Sequence, residues 1–361
     1  MITTLSVLAF ALALDLLVGE PPTAAHPVAW FGRLVGALDR EWTSLERGQL
    51  AVGVAIAAVL PLCAAAVAWL LVAAAADVAA TLGALAAGVV LFLTASLRAL
   101  LDRSREVLAA TEGEIERARE LVGGLVGRDP SALSPAGIRS AVVESASENL
   151  ADGYAATLLP FAFLAPVSLP AAAAAATWVK AVNTLDSMVG YPGKSIGTAS
   201  ARLDDAVMWL PARATAGAIA LASFRPTALA RARPEAGVPA SPNSGWPMAT
   251  AAVALGVRLE KPGAYVLAGG EGLPTPADGE RAIRLVGLAA AILVGFALAL
   301  AALSPAVVST ATSVITVLVD LLVAFIESLL AVVRAGVERL VRAAAGVADR
   351  IATAVSPGVE P

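Results

Sequence analysis

The sequence predicts an all-α fold: a polytopic integral membrane helical bundle of about 5–8 membrane segments, with polar loops carrying the site. Three observations predict it. The 361 residues are 58% hydrophobic and 15% charged, with mean hydropathy +0.79; a soluble domain is about 45–50% apolar and about 25% charged. Charge-free stretches long enough to cross a bilayer recur along the chain. The ionisable residues gather between them. The net charge of −4 leaves no basic footprint for phosphate backbones, so no nucleic-acid partner is expected. A single cysteine, Cys63, and a single histidine, His26, exclude an internal disulfide and a Cys/His zinc site.

The elements follow in order. Residues 3–19 are apolar apart from Asp15. They lack a basic start and a clear cleavage site, so they read as a retained first helix and not a signal peptide. Glu20-Pro21-Pro22 stops it. Between residues 49 and 97 the only charge is Asp77, which predicts a helical hairpin with spans over 51–75 and 78–97. Residues 103–122 have mixed charges at helical spacing and read as a solvated helix, ended by Arg128-Asp129-Pro130. Residues 153–179 carry no charge, but Pro160, Pro166 and Pro170 interrupt them. Proline removes a backbone bond, so a re-entrant or sharply bent pair is expected here. The same is expected of 206–223, with Pro211 and Arg213. A last charge-free run, 285–319, breaks at Ser304-Pro305. We expect a membrane-embedded domain over 1–304 and a C-terminal helical extension over 305–361. The charges of the extension at Asp320, Glu327, Arg334, Glu338, Arg342 and Asp349 form one stripe of a long amphipathic helix. The loops 102–152 and 225–284 hold six and seven Arg or Lys residues, which assigns both to the cytoplasmic side.

Four polar clusters sit at span borders, where charge is costly without a use. The first runs from Asp15 to Arg33 and includes Glu20 and His26. In the second, Glu144, Glu148 and Asp152 share one helical face at i, i+4 and i+8, beside Asn149. Three acids on one face repel unless a cation answers them. The third holds Lys180, Asn183, Thr184, Asp186 and Ser187. Only three lysines and three asparagines occur in an arginine-rich chain, so their presence here favours a functional reading. Gly193-Lys194-Ser195 looks like the end of a phosphate-binding loop, but Met188 stands where that pattern needs glycine, so it reads as a decoy. The fourth comprises Arg202, Asp204, Asp205 and Arg213, followed by the turn-rich Ser241-Pro242-Asn243-Ser244-Gly245-Trp246.

These residues carry a resemblance. Asn183 to Tyr191 (NTLDSMVGY), Ala201-Arg202-Leu203-Asp204-Asp205 with Pro211-Ala212-Arg213, and Ser241 to Met248 (SPNSGWPM) resemble the adenosylcobinamide-phosphate synthase family, integral membrane proteins of cobalamin biosynthesis. Glu144 to Asn149 with Asp152-Gly153, the His26-Pro27-Val28 loop and Gly256 to Gly263 are similar as well. The resemblance covers residues 1–303, in an archaeal-type form with a short stretch after Gly190-Tyr191.

The resemblance implies an ATP-dependent ligase in the cell membrane with its site on the cytoplasmic side. It would join (R)-1-amino-2-propanol phosphate, or aminopropanol, to the free propionate carboxylate of adenosylcobyric acid. Mg²⁺ and ATP as cosubstrate are expected, and no bound redox cofactor. The corrinoid, the amine and the lipid bilayer would be its partners, with other cobalamin-pathway enzymes at the membrane. On chemical grounds Lys180, Asp186, Asp205, Glu144 and Arg202 are the candidate catalytic groups. Asp186, Asp204, Asp205 and Glu148 are the candidate metal ligands. His26, Arg33, Asn149, Asn183, Arg213, Asn243 and Trp246 are the candidate substrate contacts. Two other readings stand beside this one. Intramembrane Asp15 and Arg213 with proline-broken spans suit a transporter, and a non-catalytic scaffold for corrin-processing enzymes needs no turnover.

Overall fold

The structure is a computed structural model and describes residues 2–124, 130–191 and 193–310. Residues Met1–Ser304 form one compact unit, and the site lies within it. The stripe expected over 320–349 and the turn Arg128-Asp129 lie outside the described residues.

Helix α1 (Ile2–Leu17) leads through the Glu20-Pro21-Pro22 stop to α2 (Pro27–Leu38), whose N-terminus is capped by the His26 ring. The hairpin comes next as α3 (Glu46–Val78) and α4 (Ala80–Thr94), then α5 (Arg98–Ala110). The expected solvated helix over 103–122 is two helices, α5 and α6 (Ile115–Gly123), because a turn at 111–114 carrying Gly113 interrupts it.

Helix α7 (Pro135–Asn149) runs into a π-helical turn, Leu150–Ala155, and on into α8 (Ala156–Leu164). The chain turns back at 165–168 and continues as α9 (Leu169–Val189), which packs on α8 and α3. The buried residues of α3 are Gly53, Ala57, Pro61, Ala65, Ala68 and Val72. Ala57 packs with Leu185 and Val189 of α9, and Gly53 lets the backbone of Ile196 approach closely. The opposite face of α3 leaves Val59, Leu62 and Leu70 exposed. The proline-rich run is therefore a bent pair, and α8, with nine residues, is too short to span. The second run differs from expectation. Helix α10 (Thr198–Val207) meets α11 (Trp209–Ala222) at Met208, so the bend precedes Pro211 and 206–223 is not itself a pair. Pro211 sits in the first turn of α11, where its missing N–H costs nothing.

Helices α12 (Thr227–Ala232) and α13 (Gly245–Leu255) precede a small addition to the all-α fold, an antiparallel hairpin of β1 (Arg258–Lys261) and β2 (Tyr265–Ala268) turning on Gly263. Helix α14 (Pro276–Thr310) continues through the Ser304-Pro305 step, where the sequence predicts a break. Among the described residues three helices are long and apolar enough to cross a membrane: α3, the stretch Ala80–Ala110 that joins α4 to α5, and α14. Thr3–Leu17, Pro27–Leu38 and Gly245–Leu255 are shorter apolar helices.

Candidate active site

Two helix irregularities touch. The α4–α5 stretch loses regular geometry at 95–97, and there the Ser96 N–H donates to the Gly153 carbonyl of the π-turn at 3.2 Å. Backbone freed from a helix needs another partner at membrane depth, and each irregularity supplies one for the other. Asp15 completes the junction. Its carboxylate accepts the Arg98 N–H at 3.0 Å, capping α5 where the helix dipole favours an anion. The intramembrane acid that suited a transporter thus has a structural task.

Three cavities open around this junction, and Lys180 of α9 stands on the wall of each. The largest, about 650 Å³, is lined by Glu20, His26, Arg98, Asp102, Arg103 and Lys180. A second, about 220 Å³, shares Glu20, Ser96, Arg103 and Lys180 with it and adds Asn149 and Gly153. The third, about 380 Å³, is almost wholly apolar and lies between α2, α3, α4 and α9. Arg103 pairs with Glu20 at 3.6 Å and Arg98 with Asp102 at 3.2 Å. Glu20 also accepts from the Ser96 hydroxyl. Among the described residues the half-buried Lys180 ammonium has no hydrogen bond or ion pair; Glu20 and Asp152 are the acids whose fields reach it.

Behind Lys180 the acids gather. Asp152, held inside the π-turn, feels Glu148, Asp204 and Asp186 as well as Lys180. Burial and the three acids hold its carboxyl well above the usual range, against the pull of Lys180. Burial likewise raises Glu148, which Lys261 of the hairpin opposes. Asp204 is pushed up to about 7 by burial, with the Asp186 charge adding to it and a hydrogen bond from Asn183 opposing. Burial also raises Asp205, against the pull of Arg202. One buried oxygen of Asp186 and one of Asp204 have no partner among the described residues. Gly190 leaves room for Asp186: a Cβ there would stand 1.8 Å from its Oδ1 and 2.8 Å from its backbone oxygen.

The fourth cluster assembles differently. The Arg213 guanidinium donates to Trp209 O at 3.0 Å, to Pro242 O at 3.2 Å and to Asn243 Oδ1. It lies 4.8 Å from the Trp209 ring and 5.0 Å from the Trp246 ring, a cation–π arrangement. Asn243 in turn donates to the Asp205 carbonyl at 2.8 Å. The loop 241–248 is thereby tied to the acid group, and both ends of the Asn243 amide are used in that tie.

Glu144 is buried and accepts from Ser140 Oγ and Tyr265 OH, both at 2.8 Å. Ser140 also accepts the Glu260 N–H at 2.8 Å. Glu144 therefore fastens the β-hairpin to α7. The face predicted for Glu144, Glu148 and Asp152 exists as a graded series, bound to the hairpin at the Glu144 end and within the field of Lys180 at the Asp152 end.

The structure brings Lys180, Glu148, Asn149, Asn183, Asp186, Asp204 and Asp205 together, with His26 across the large cavity. His26 Nδ1 accepts the Val28 N–H at 3.2 Å, which leaves Nε2 carrying the proton, and burial lowers its pKa. Arg202 is exposed beside Asp205. Arg33 is exposed on α2 and lines none of these cavities. Lys194 pairs with Asp39 at 2.8 Å in a separate cavity at the far end of α2. Arg98 and Arg103 are the residues that sequence reasoning missed. Arg103 opens the segment 103–122 that reads as solvated and Arg98 falls just before it; the one signal is the place of Arg98 directly after the run 49–97.

Among the described residues no three His, Cys, Asp or Glu side chains are drawn up as ready metal ligands. The partnerless oxygens of Asp186 and Asp204 nonetheless fit Mg²⁺, which takes one or two carboxylates and completes its shell with phosphate oxygens and water.

The fold and site define an α-helical protein of membrane type with a charged cavity built at helix breaks. The chain belongs to the CobD/Cbib protein family, whose model matches residues 8–286. It is 36% identical over 294 residues to the probable cobalamin biosynthesis protein CobD of Methanothrix thermoacetophila, covering 79% of this chain and 92% of that one. It is 35% identical over 265 residues to cobalamin biosynthesis protein CobD of Klebsiella pneumoniae, covering 70% and 81%. The Rhodobacter capsulatus protein of the same name is 34% identical over 292 residues, covering 76% and 90%. No solved structure matches.

Proposed function

We propose that the protein acts in cobalamin biosynthesis as a multi-pass membrane ligase. It joins (R)-1-amino-2-propanol phosphate, or the free amine, to a corrinoid propionate with ATP, at a site on the cytoplasmic side. The observation that carries the reading is the meeting of an uncompensated lysine with a crowd of acids, two of them with partnerless oxygens, inside the region the family covers.

A carboxylate is a poor acyl donor until one oxygen becomes a leaving group. In the proposed sequence the propionate oxygen attacks the γ-phosphorus of ATP, ADP departs, and the amine nitrogen attacks the acyl phosphate carbon. Inorganic phosphate leaves and a base takes the amine proton. Lys180 holds the propionate, and its charge offsets that of the developing acyl phosphate. Asp186 and Asp204 would hold Mg²⁺, which when bound neutralises phosphate oxygens. Asp152, kept protonation-prone by burial, is suited to receive the amine proton. Arg98, Arg103 and His26 present donors to the phosphate of the amine substrate, while Asn149 and Asn183 are placed for amide groups of the corrinoid.

Purified protein in lipid nanodiscs, given cobyric acid, aminopropanol phosphate and Mg-ATP, should yield cobinamide phosphate and ADP in equal amounts. Absence of product with a folded protein and all three substrates would overturn the reading. It would leave the scaffold and transporter alternatives standing.

A further inference from the structure

The apolar cavity has no role in the ligation as described. It shares Val28, Leu93, Thr94 and Lys180 with the large polar cavity, so the two adjoin along these residues, with Lys180 at their border. On one side lie Glu20, Arg98 and Arg103; on the other lie Trp30, Phe31, Val90 and Leu71. Small residues keep the apolar half open, with Ala68 and Ala181 at the floor, both almost fully buried. A cavity of this kind suits a ligand that is itself two-sided, with an apolar edge next to an anionic group. Volumes of about 380 and about 650 Å³ each fall within the usual range for small-molecule sites.

We propose that the apolar half receives the methyl-bearing rim of the corrin macrocycle while Lys180 holds the carboxylate to be amidated. The proposal rests on the ligation reading and extends it by fixing how the large substrate lies. A phospholipid chain is the competing occupant, since Val67 and Leu71 on α3 are 57% and 61% exposed. An acyl chain uses only the apolar half. Its phosphate at Lys180 would take up the lysine charge and leave the polar half unfilled. A macrocycle whose edge carries methyl groups beside amides and a carboxylate meets both halves.

The test uses the full chain in nanodiscs. Ala68→Leu and Ala181→Leu fill the apolar half, and Trp30→Ala trims its half-exposed rim without crowding the core. Each should raise the corrinoid KM, and the Kd for cobyric acid measured without ATP, about tenfold through lost or blocked contact. The KM values for the amine and for ATP should stay within about twofold, because those substrates lie on the polar side. Unchanged corrinoid Kd in the folded variants would overturn the proposal. So would quenching of Trp30 by brominated phospholipid that saturating cobyric acid fails to relieve, which would give the cavity to lipid. Wild-type protein that binds cobyric acid but makes no product would instead defeat the ligation reading.

Discussion

Arg213 and Asp186 look alike in the sequence, each an ionisable residue at the edge of an apolar run. In the structure they are opposites. Arg213 has three acceptors and two aromatic rings around it. Asp186 has a buried oxygen with nothing to bond among the described residues, and Asp204 beside it has another. Buried polar groups in folded proteins are nearly always satisfied. Arg213, satisfied on all sides, holds the chain together. An unsatisfied oxygen alone does not mark the other kind, since Asp15 keeps one buried oxygen without a partner while its other oxygen caps α5. Asp186 and Asp204 differ in that two such oxygens belong to neighbouring acids, the charge of one raising the pKa of the other. The comparison teaches that polarity at a membrane border flags both kinds, and that the partners and neighbours of each group separate them.

Breaking the comparison starts with the acids. Asp186→Asn and Asp204→Asn should each cut turnover by about 10²–10⁴-fold, the range for loss of a group that stabilises transition-state charge or its metal. The same Asp204→Asn change should raise the melting temperature of the ligand-free protein at pH 8. The folded-state pKa of Asp204 is raised to about 7, so its ionisation costs stability as pH climbs from the unfolded value toward that one, and Asn removes the cost. Full turnover, or a lower melting temperature, would place these acids in the structural class.

Arg213→Leu should show the reverse pattern. It strands Asn243 and the Pro242 carbonyl and should cost about 1.5–3 kcal/mol of stability, as for hydrogen bonds to a charged group, seen as a lower melting midpoint in detergent. Turnover normalised to folded protein should change far less than for Asp186→Asn. Tyr265→Phe loosens the hairpin from Glu144 and should cost about 1–2 kcal/mol, again by melting, with corrinoid KM little changed.

A smaller effect concerns His26. Its half-buried ring has a pKa below the ordinary 6.5, so the unfolded chain takes up the proton first. This group therefore contributes full stability above about pH 6.5 and loses it on acidification. His26→Asn keeps an acceptor for the α2 cap and should flatten the fall in melting temperature between pH 7 and 5. A variant with the same slope as the wild type would show that the ring is not the titrating group. Smallest of all, Arg33→Ala should alter neither melting nor kinetics measurably, as for an exposed residue away from the cavities.

The helical class and the hairpin of α3 and α4 are legible because hydropathy and charge spacing are one-dimensional signals. So is the reversal of 153–179, because three prolines remove backbone donors. The gathering of 139–152, 180–205 and 241–248 can be sensed from their residue types. Its geometry cannot, since it depends on the bend at Met208 and on the contact of Ser96 with Gly153, which no local pattern encodes. Arg98 and Arg103 are hidden because a cation facing a cavity and one facing solvent have the same spacing. Glu144 looks like a catalytic acid in the sequence because its partner, Tyr265, arrives from a hairpin 121 residues away.

The π-turn at Leu150–Ala155 has a genetic meaning. A π-turn accommodates one residue beyond the regular count, and such turns sit disproportionately at functional sites. Removing a single codon within it would return the helix from α7 to α8 to even winding, at no cost in composition or hydropathy. The flanking helices would keep their facing, because the turn absorbs the extra residue, while the bulge that places Asp152 and offers the Gly153 carbonyl to Ser96 would be lost. One in-frame deletion could thus disarm the site while leaving a protein that still inserts and folds.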